Sequence, residues 1–290
     1  MQGKLSFQDK SQTSRAWERR RKNKSRATIL RAHSNLRSGG VKEQGFCSTR
    51  SNLFGQTDEF RLQNRLIMNS TLDQIDAQIA ARHLLTHPFY LAWTRGELRR
   101  ETLADYAAQY YQHVAAFPTY LSALHARCDD RPTRRHILQN LIDEEAGEPN
   151  HPQLWRDFAA SVGVTSEQLD QVETWPETAE LISTFRDLCR RGQLVEGFAA
   201  LYAYESQIPA VSESKIDGLV RHYQFSDPES YRYFSVHIEA DREHAAVERS
   251  LLEKNIRPEN QERVIAAVDR ALDTLWELLS GVCRRHAIAC

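Results

Sequence analysis

The chain has 290 residues, of which 41% are hydrophobic and 27% are charged. This composition is ordinary for a globular protein and is sufficient for a sizeable core. No apolar run is long enough to span a bilayer, and the first residues lack the apolar segment of an export signal. The five cysteines are widely spaced, which argues against a disulfide framework or a zinc ribbon. We therefore expect a cytoplasmic protein that does not associate with membranes.

Charge is distributed unevenly along the chain. Residues 1–67 contain 15 Lys or Arg and 5 Asp or Glu, whereas residues 68–290 contain 23 and 34. The first segment is polar and lacks apolar periodicity, which predicts a disordered basic extension. It can be a flexible tail, a targeting segment, or translated sequence ahead of a start at Met68. The net negative charge of the remainder argues against nucleic-acid binding.

From Met68 onward, apolar residues recur at three- and four-residue steps, which predicts helices and no sheet. Ser70 and Thr71 are expected to cap a first helix that runs to about Leu85. A short segment follows from His87 to Gly96. The later helices are predicted at 101–128, from 131, at 153–162, 166–172, 177–191 and 194–205, from 209 to about 223, from 227 to about 254, and from Pro258. Residues 68–290 are thus predicted to form one helical domain.

Three metal-capable side chains recur in one of these helices as His237, Asp241 and His244. At about 100° per residue, positions i, i+4 and i+7 lie in one narrow stripe. A solvated helix face is an equally ordinary explanation for such a trio. The stripe alone is therefore modest evidence for a metal site.

Glu144 and His151 form a second candidate pair, seven residues apart. A regular helix would hold them two turns apart, too far to share one ion easily. Gly147 and Pro149 lie between them, and a proline inside a helix removes a backbone hydrogen bond. The resulting break can turn His151 toward Glu144, although an acidic helix end followed by a loop explains the segment equally well.

Glu205 follows a strongly apolar stretch, where a carboxylate needs a partner or a metal. A surface position on the polar side of the helix is the alternative, but Glu205 is the best candidate for a bridging ligand. Carboxylate oxygens and imidazole nitrogens from several helices suit a pair of iron or manganese ions, with zinc as the competing metal. A ferritin-like E-x-x-H pattern occurs as Glu148 to His151, but Pro149 interrupts it. Glu145 and Glu148 remain rival ligands.

Taken in order, these motifs resemble the heme-oxygenase-like diiron oxidases, in particular the Chlamydia protein associating with death domains and its bacterial relatives. The resemblance covers residue 68 to the end of the chain. It depends on the opening His87-Pro88-Phe89-Tyr90, Gly96-x-Leu98 and Tyr106-x-x-Gln109-Tyr110-Tyr111, and on the ligand pattern Glu144, His151, Glu205, His237, Asp241 and His244. It implies an all-α, TenA- or PqqC-like bundle of about seven to eight helices.

The resemblance also implies an oxygen-activating dimetal oxidase that makes para-aminobenzoate for folate. In this role Tyr90 is the self-derived aromatic precursor and Lys215 supplies the amino group, while Tyr204 and Tyr233 lie near the site. The residues themselves do not single out Tyr90 among ten tyrosines, and Lys215 reads equally well as part of a solvated helix turn. A lysine needs burial or a charged neighbour to be a good nucleophile near neutral pH.

Two other functions remain open. The same site can act on an external amine, amino acid or fatty acid, in which case each chain would make many products. A non-enzymatic partner-binding protein would keep its binding after His237→Ala. The expected cofactors are two metal ions, either an iron pair or iron with manganese. The expected partners are oxygen, an external reductant and a second copy of the chain in a homodimer.

Overall fold

A computed structural model describes residues 51–289, with side chains from Leu62 onward. Within this range the chain forms eleven α-helices and two short 3-10 helices, with no β-strand. The α-helices are α1 (Ser51–Ala81), α2 (Pro88–Thr94), α3 (Arg100–Arg127), α4 (Arg131–Glu145), α5 (His151–Ser161), α6 (Ser166–Gln171), α7 (Pro176–Arg190), α8 (Leu194–Glu205), α9 (Ile208–His222), α10 (Arg232–Asn255) and α11 (Gln261–Arg285). The predicted all-α class is confirmed. The helices outnumber the expected seven to eight because short pieces such as α2 and α6 count separately.

Most predicted boundaries agree with the helices to within two residues, but three starts differ. The predicted cap at Ser70 and Thr71 is wrong, because α1 runs through both residues. The Thr71 hydroxyl donates to the carbonyl oxygen of Ile67 at 2.8 Å, which satisfies it inside the helix. Residues 1–50 of the predicted basic extension lie outside the described residues, and a domain boundary at Met68 stays a prediction.

The other two starts lie at prolines. Pro228 opens a 3-10 helix (Pro228–Tyr231) before α10 begins at Arg232, rather than α10 itself. Pro258 does not open the last helix, which begins at Gln261 after Asn260. The Asn260 side chain folds back to accept a hydrogen bond from the Arg257 backbone N–H at 2.8 Å. Residues 257–260 thus form a turn ahead of the helix, although the sequence pattern placed the start of the helix at Pro258.

Helix α8 lies at the centre of the bundle and packs against α3, α7, α10 and α11. Every residue from Val195 to Glu205 is buried. A helix that is apolar on all sides is expected in a core. No helix in residues 51–289 combines the length and apolarity needed to cross a membrane. The central position of α8 places the carboxylate at its last residue, Glu205, inside the protein.

Candidate dimetal centre

The first group of potential metal ligands joins three helices. Glu144 lies in the last turn of α4, His151 opens α5 and His237 lies in α10. All three are buried, and each offers a donor atom within 4.8 Å of the others. His151 Nδ1 lies 3.0 Å from Glu144 Oε2, and the centroids of the His151 and His237 imidazole rings are 4.3 Å apart. The three side chains therefore converge on one point.

The helix break between α4 and α5 makes this convergence possible. Helix α4 ends at Glu145 and α5 begins at His151, so His151 is not held two helical turns from Glu144. The rival ligands Glu145 and Glu148 are both exposed. Solvated carboxylates outside the centre cannot share an ion with these buried groups, so the ferritin-like pairing of Glu148 with His151 does not describe this site.

The second group consists of Glu205, Asp241 and His244, again buried and within 4.8 Å of one another. His244 Nδ1 lies 3.4 Å from Glu205 Oε1 and 3.5 Å from Asp241 Oδ1. The His237, Asp241 and His244 stripe of α10 is thus shared between the two groups. Glu205 is 1% exposed. Glu205 belongs to the second group only, so its role as a ligand that bridges two ions stays a prediction.

A small enclosed cavity of ≈10 Å³ connects the two groups. Its lining includes Glu144 and His237 of the first group, Glu205 and Asp241 of the second, and the ring of Tyr204. Burial, together with the nearby Glu205 carboxylate, raises the pKa of Asp241 to about 7. Buried carboxylates that repel one another are the environment that a divalent cation relieves.

Unpartnered buried atoms show that the residues fit metal ions. His151 Nδ1, His244 Nδ1 and Glu205 Oε2 make no hydrogen bond among the described residues, although the two imidazole nitrogens lie close to carboxylate oxygens. One ring nitrogen of His237 and one of His244 contact oxygen atoms of neighbouring residues. His237 Nδ1 lies 2.7 Å from the carbonyl oxygen of Tyr233, and His244 Nε2 lies 3.3 Å from Asp143 Oδ2. Such contacts orient histidines that bind metals through the other nitrogen.

Three residues beside the ligands were missed by the sequence analysis. Asn140 Nδ2 donates to Glu205 Oε1 at 3.1 Å, Asp143 contacts His244, and Glu248 is buried against Glu205. Glu248 extends the stripe of α10 by one more turn after His244, so its spacing could have revealed it. Asn140 and Asp143 lie four residues and one residue before Glu144, where the amphipathic pattern gives no signal for them.

A second cluster, of phenols and one amine, lies beside the metal-ligand groups. Tyr90 and Tyr106 are fully buried, and their hydroxyl oxygens are 3.2 Å apart. Lys215 Nζ donates to the hydroxyl oxygen of Tyr106 at 2.6 Å. The hydroxyl of Tyr106 therefore lies between the phenol of Tyr90 and the amine of Lys215, which come from α2 and α9.

Lys215 is 3% exposed, so the reading of a solvated helix turn is wrong. Its amine lies 4.8 Å from the ring centre of Phe234 and 5.4 Å from that of Tyr90. Burial lowers the pKa of Lys215 well below its usual range. A larger fraction of the amine is then neutral, and a neutral amine is nucleophilic. A nucleophilic role for Lys215 requires this burial, which the sequence alone could not establish.

Two further tyrosines connect the clusters. The hydroxyl oxygens of Tyr204 and Tyr110 are 2.7 Å apart. The ring of Tyr233 stacks on that of His237 with centroids 3.9 Å apart. Burial raises the pKa of both Tyr204 and Tyr233 well above the ordinary value, so both are neutral phenols. Tyr204 and Tyr233, expected near the site, therefore lie beside the ligands, and both line the ≈10 Å³ cavity.

Close backbone packing fixes the position of Lys215 relative to Tyr90. A Cβ atom at Gly218 would lie 2.6 Å from Trp93 Cδ1, so a larger residue cannot be accommodated without movement. Trp93 Nε1 also donates to the backbone carbonyl of Lys215 at 3.2 Å. Helix α9 is thus held against α2 at the level of the amine.

Comparison with known proteins decides the family. Residues 104–276 match the model of a family described as iron-containing redox enzymes. The chain belongs to this family. It is 47% identical to the 4-aminobenzoate synthase of Nitrosomonas europaea, over 74% of this chain and 91% of that protein. It is 48% identical to the 4-aminobenzoate synthase of Chlamydia pneumoniae, over 74% of this chain and 95% of that protein.

These matches confirm that the protein is a redox enzyme and that the resemblance to heme-oxygenase-like diiron oxidases is correct at the level of the family. Solved structures agree on the fold. A TenA homologue from Pseudomonas syringae superposes with a TM-score of 0.64 at 19% identity, covering 74% of this chain and 92% of that one. A CADD-like protein from Nostoc punctiforme gives 0.62 at 19% identity, covering 77% and 99%.

Proposed function

We propose that this enzyme forms 4-aminobenzoate from its own Tyr90, with the amino nitrogen supplied by Lys215. The similarity to 4-aminobenzoate synthases from Nitrosomonas and Chlamydia supports the product. The observation that carries the self-derived source is the position of the Lys215 amine, one tyrosine hydroxyl away from the phenol of Tyr90. Membership of a redox-enzyme family removes the reason to prefer a non-enzymatic role.

The atoms of Tyr90 correspond to those of the product. The tyrosine ring carries Cβ at one end and the phenol oxygen at the other, as 4-aminobenzoate carries a carboxyl carbon and a nitrogen. Cβ would thus become the carboxyl carbon after the bond to Cα breaks, with dioxygen as the oxidant. Nitrogen would replace the phenol oxygen, which leaves as water, and the Nζ–Cε bond of Lys215 would break with Cε oxidised to the aldehyde level. Burial raises the pKa of Tyr90, so the reaction begins from a neutral phenol.

Glu144, His151, Glu205, His237, Asp241 and His244 would hold two ions, either an iron pair or iron with manganese. When bound, this pair supplies the oxygen-dependent oxidation. Tyr106 orients both reactants, because its oxygen accepts from Lys215 and its hydrogen remains free for Tyr90. The surrounding rings exclude water from both groups. Tyr204 and Tyr233 line the ≈10 Å³ cavity together with the ligands, where they can hold or pass on a proton.

The test is a single-turnover reaction with labelled protein. Purified chain carrying ring-labelled tyrosine and ε-¹⁵N lysine would be loaded with ferrous iron, alone or with manganese, and then given reductant and oxygen. We expect labelled ring and labelled nitrogen in 4-aminobenzoate, and loss of the side-chain mass from the Tyr90 peptide. Tyr90→Phe and Lys215→Arg should abolish the product.

Matched controls are available within the chain. Tyr120 is another fully buried tyrosine of α3, and Lys254 is the only other lysine among residues 51–289. Tyr120→Phe and Lys254→Arg should keep product formation. An intact Tyr90 side chain alongside product, or more than one product per chain, would contradict self-consumption. Either result would favour an external small-molecule substrate.

A further inference from the structure

A second cavity reaches the second metal-ligand group, and neither Tyr90 nor Lys215 lines it. It measures ≈230 Å³ and lies between α3, α4, α8 and α10. Its walls are apolar and come from Leu121, Ile137, Phe198, Leu201, Val247 and Leu251. This cavity is separate from the ≈10 Å³ space lined by Tyr204 and Tyr233. The second ligand group therefore borders two separate spaces.

The cavity changes character from its mouth to its floor. Exposed His136 and Gln139 stand at the mouth with half-buried Val247. The floor is formed by His244 of the second ligand group and by Glu248. The passage thus leads from the surface, along apolar walls, to a residue that we assign as a metal ligand.

The floor carries polar atoms without partners. Both carboxyl oxygens of Glu248 and Oδ1 of Asn140 accept no hydrogen bond among the described residues, and both side chains are more than nine-tenths buried. Asn140 uses its other polar atom to contact Glu205. An occupant of the cavity therefore meets the second ligand group at its inner end.

A different groove touches Asp241 from the surface, and several of its lining side chains are charged. Glu213 and Arg242 line it and form an ion pair at 2.6 Å, and Arg249 lies nearby. An uncharged apolar molecule is favoured in the apolar cavity over this charged groove, because transfer from water to apolar surroundings is favourable. Apolar cavities of about 150 Å³ are known to stay dry and to take up xenon.

We propose that the cavity of ≈230 Å³ between α3, α4, α8 and α10 is the route by which dioxygen reaches the metal centre. The inference rests on the proposed function, since it takes oxygen as the co-substrate. Dioxygen is small, uncharged and apolar, which matches the walls. Entry on this side brings oxygen to His244 without passing Tyr90 or Lys215, whose surroundings are filled by aromatic rings.

Two measurements test the route. Crystals of the protein would be pressurised with xenon, which should give a peak inside the cavity. The second measurement is the rate at which limiting oxygen oxidises the ferrous-loaded protein. Val247→Ile and Val247→Phe narrow the passage in two steps, and Val220→Phe is the matched control on the exposed face of α9 (48% exposed). Val247→Phe should exclude xenon and slow the oxidation about tenfold, with Val247→Ile intermediate.

The results separate this proposal from the proposed function. An empty cavity in xenon-treated crystals would overturn the route. The route would also be overturned if Val247→Phe excluded xenon but was oxidised as fast as Val220→Phe. If Val247→Phe does not fold, Val247→Ile provides the same test. Iron oxidation in a Tyr90→Phe background reports the route when no product can form. Normal iron oxidation in the unaltered chain without consumption of Tyr90 would contradict only the proposed function.

Discussion

Lys215 donates a hydrogen bond to the hydroxyl oxygen of Tyr106 at 2.6 Å inside a cage of aromatic rings. Two residues far apart in sequence, on α9 and α3, therefore meet in a place with no solvent to stabilise a charge. A lysine in such surroundings favours its neutral form. The protonation state of Lys215 therefore depends on the folded structure, and it can be measured through the stability of the fold.

The first prediction concerns pH and stability. Burial lowers the pKa of Lys215 well below its usual value, so the unfolded chain binds a proton that the folded chain lacks. The free energy of unfolding should then rise with pH, by up to about 1.4 kcal/mol per unit, from the folded-state pKa to about 10.4. Lys215→Met should remove this rise. Denaturant unfolding at a series of pH values measures it, with the exposed Lys254→Met as the control. Parallel curves for the two variants would contradict the prediction.

The second prediction concerns metal content. His237→Ala removes a ligand of the first group, so the chain should bind one fewer iron per molecule. At free iron a hundredfold above Kd, the lost site should also remove about 2.7 kcal/mol of metal-dependent stabilisation. Metal analysis and thermal unfolding with and without iron check both effects. The exposed His136→Ala should bind as much iron as the unaltered chain, and equal losses in the two variants would argue against a specific ligand role.

The third prediction tests the support of a ligand rather than the ligand itself. Asp143 Oδ2 lies 3.3 Å from His244 Nε2, and a carboxylate in this position orients the ring and strengthens its other nitrogen. Asp143→Asn should weaken metal affinity by about ten- to a hundredfold without unfolding the protein. Competition with a chelator measures the affinity. Asp157→Asn, at an exposed position of α5, supplies the comparison. Equal affinities for the two variants would show that Asp143 does not support the site.

The fourth prediction separates shape from charge at Glu248. Its carboxyl is buried against that of Glu205, whose Oε2 has no donor among the described residues. Glu248→Gln offers an N–H to that oxygen and keeps the volume, so iron content should be unchanged. Glu248→Ala removes the neighbouring carboxyl group, so that among the described residues Glu205 keeps only the hydrogen bond from Asn140, and should cost about 1–3 kcal/mol of stability. Unfolding curves and metal analysis distinguish the two, and equal behaviour of both variants would show that Glu248 contributes little.

The sequence predicted the helices well because their apolar periods are regular. It predicted the stripe of His237, Asp241 and His244 because positions i, i+4 and i+7 share one face of a regular helix. The meeting of Glu144 with His151 depended on a turn whose direction local pattern does not define. The burial of Lys215 was out of reach, because it depends on rings from four other helices rather than on neighbours in α9. Thr71 was misassigned since a threonine hydroxyl serves equally as a cap or as an internal helix donor.

The absence of a side chain at Gly218 bears on when Lys215 and Tyr90 are brought together. The contact of this glycine with Trp93 is made by α9 and α2 alone and includes none of the six metal-binding candidates. Folding by itself thus brings Lys215 close to Tyr90. Under the proposed function, a newly made molecule would carry both reactants in place before metal and oxygen arrive.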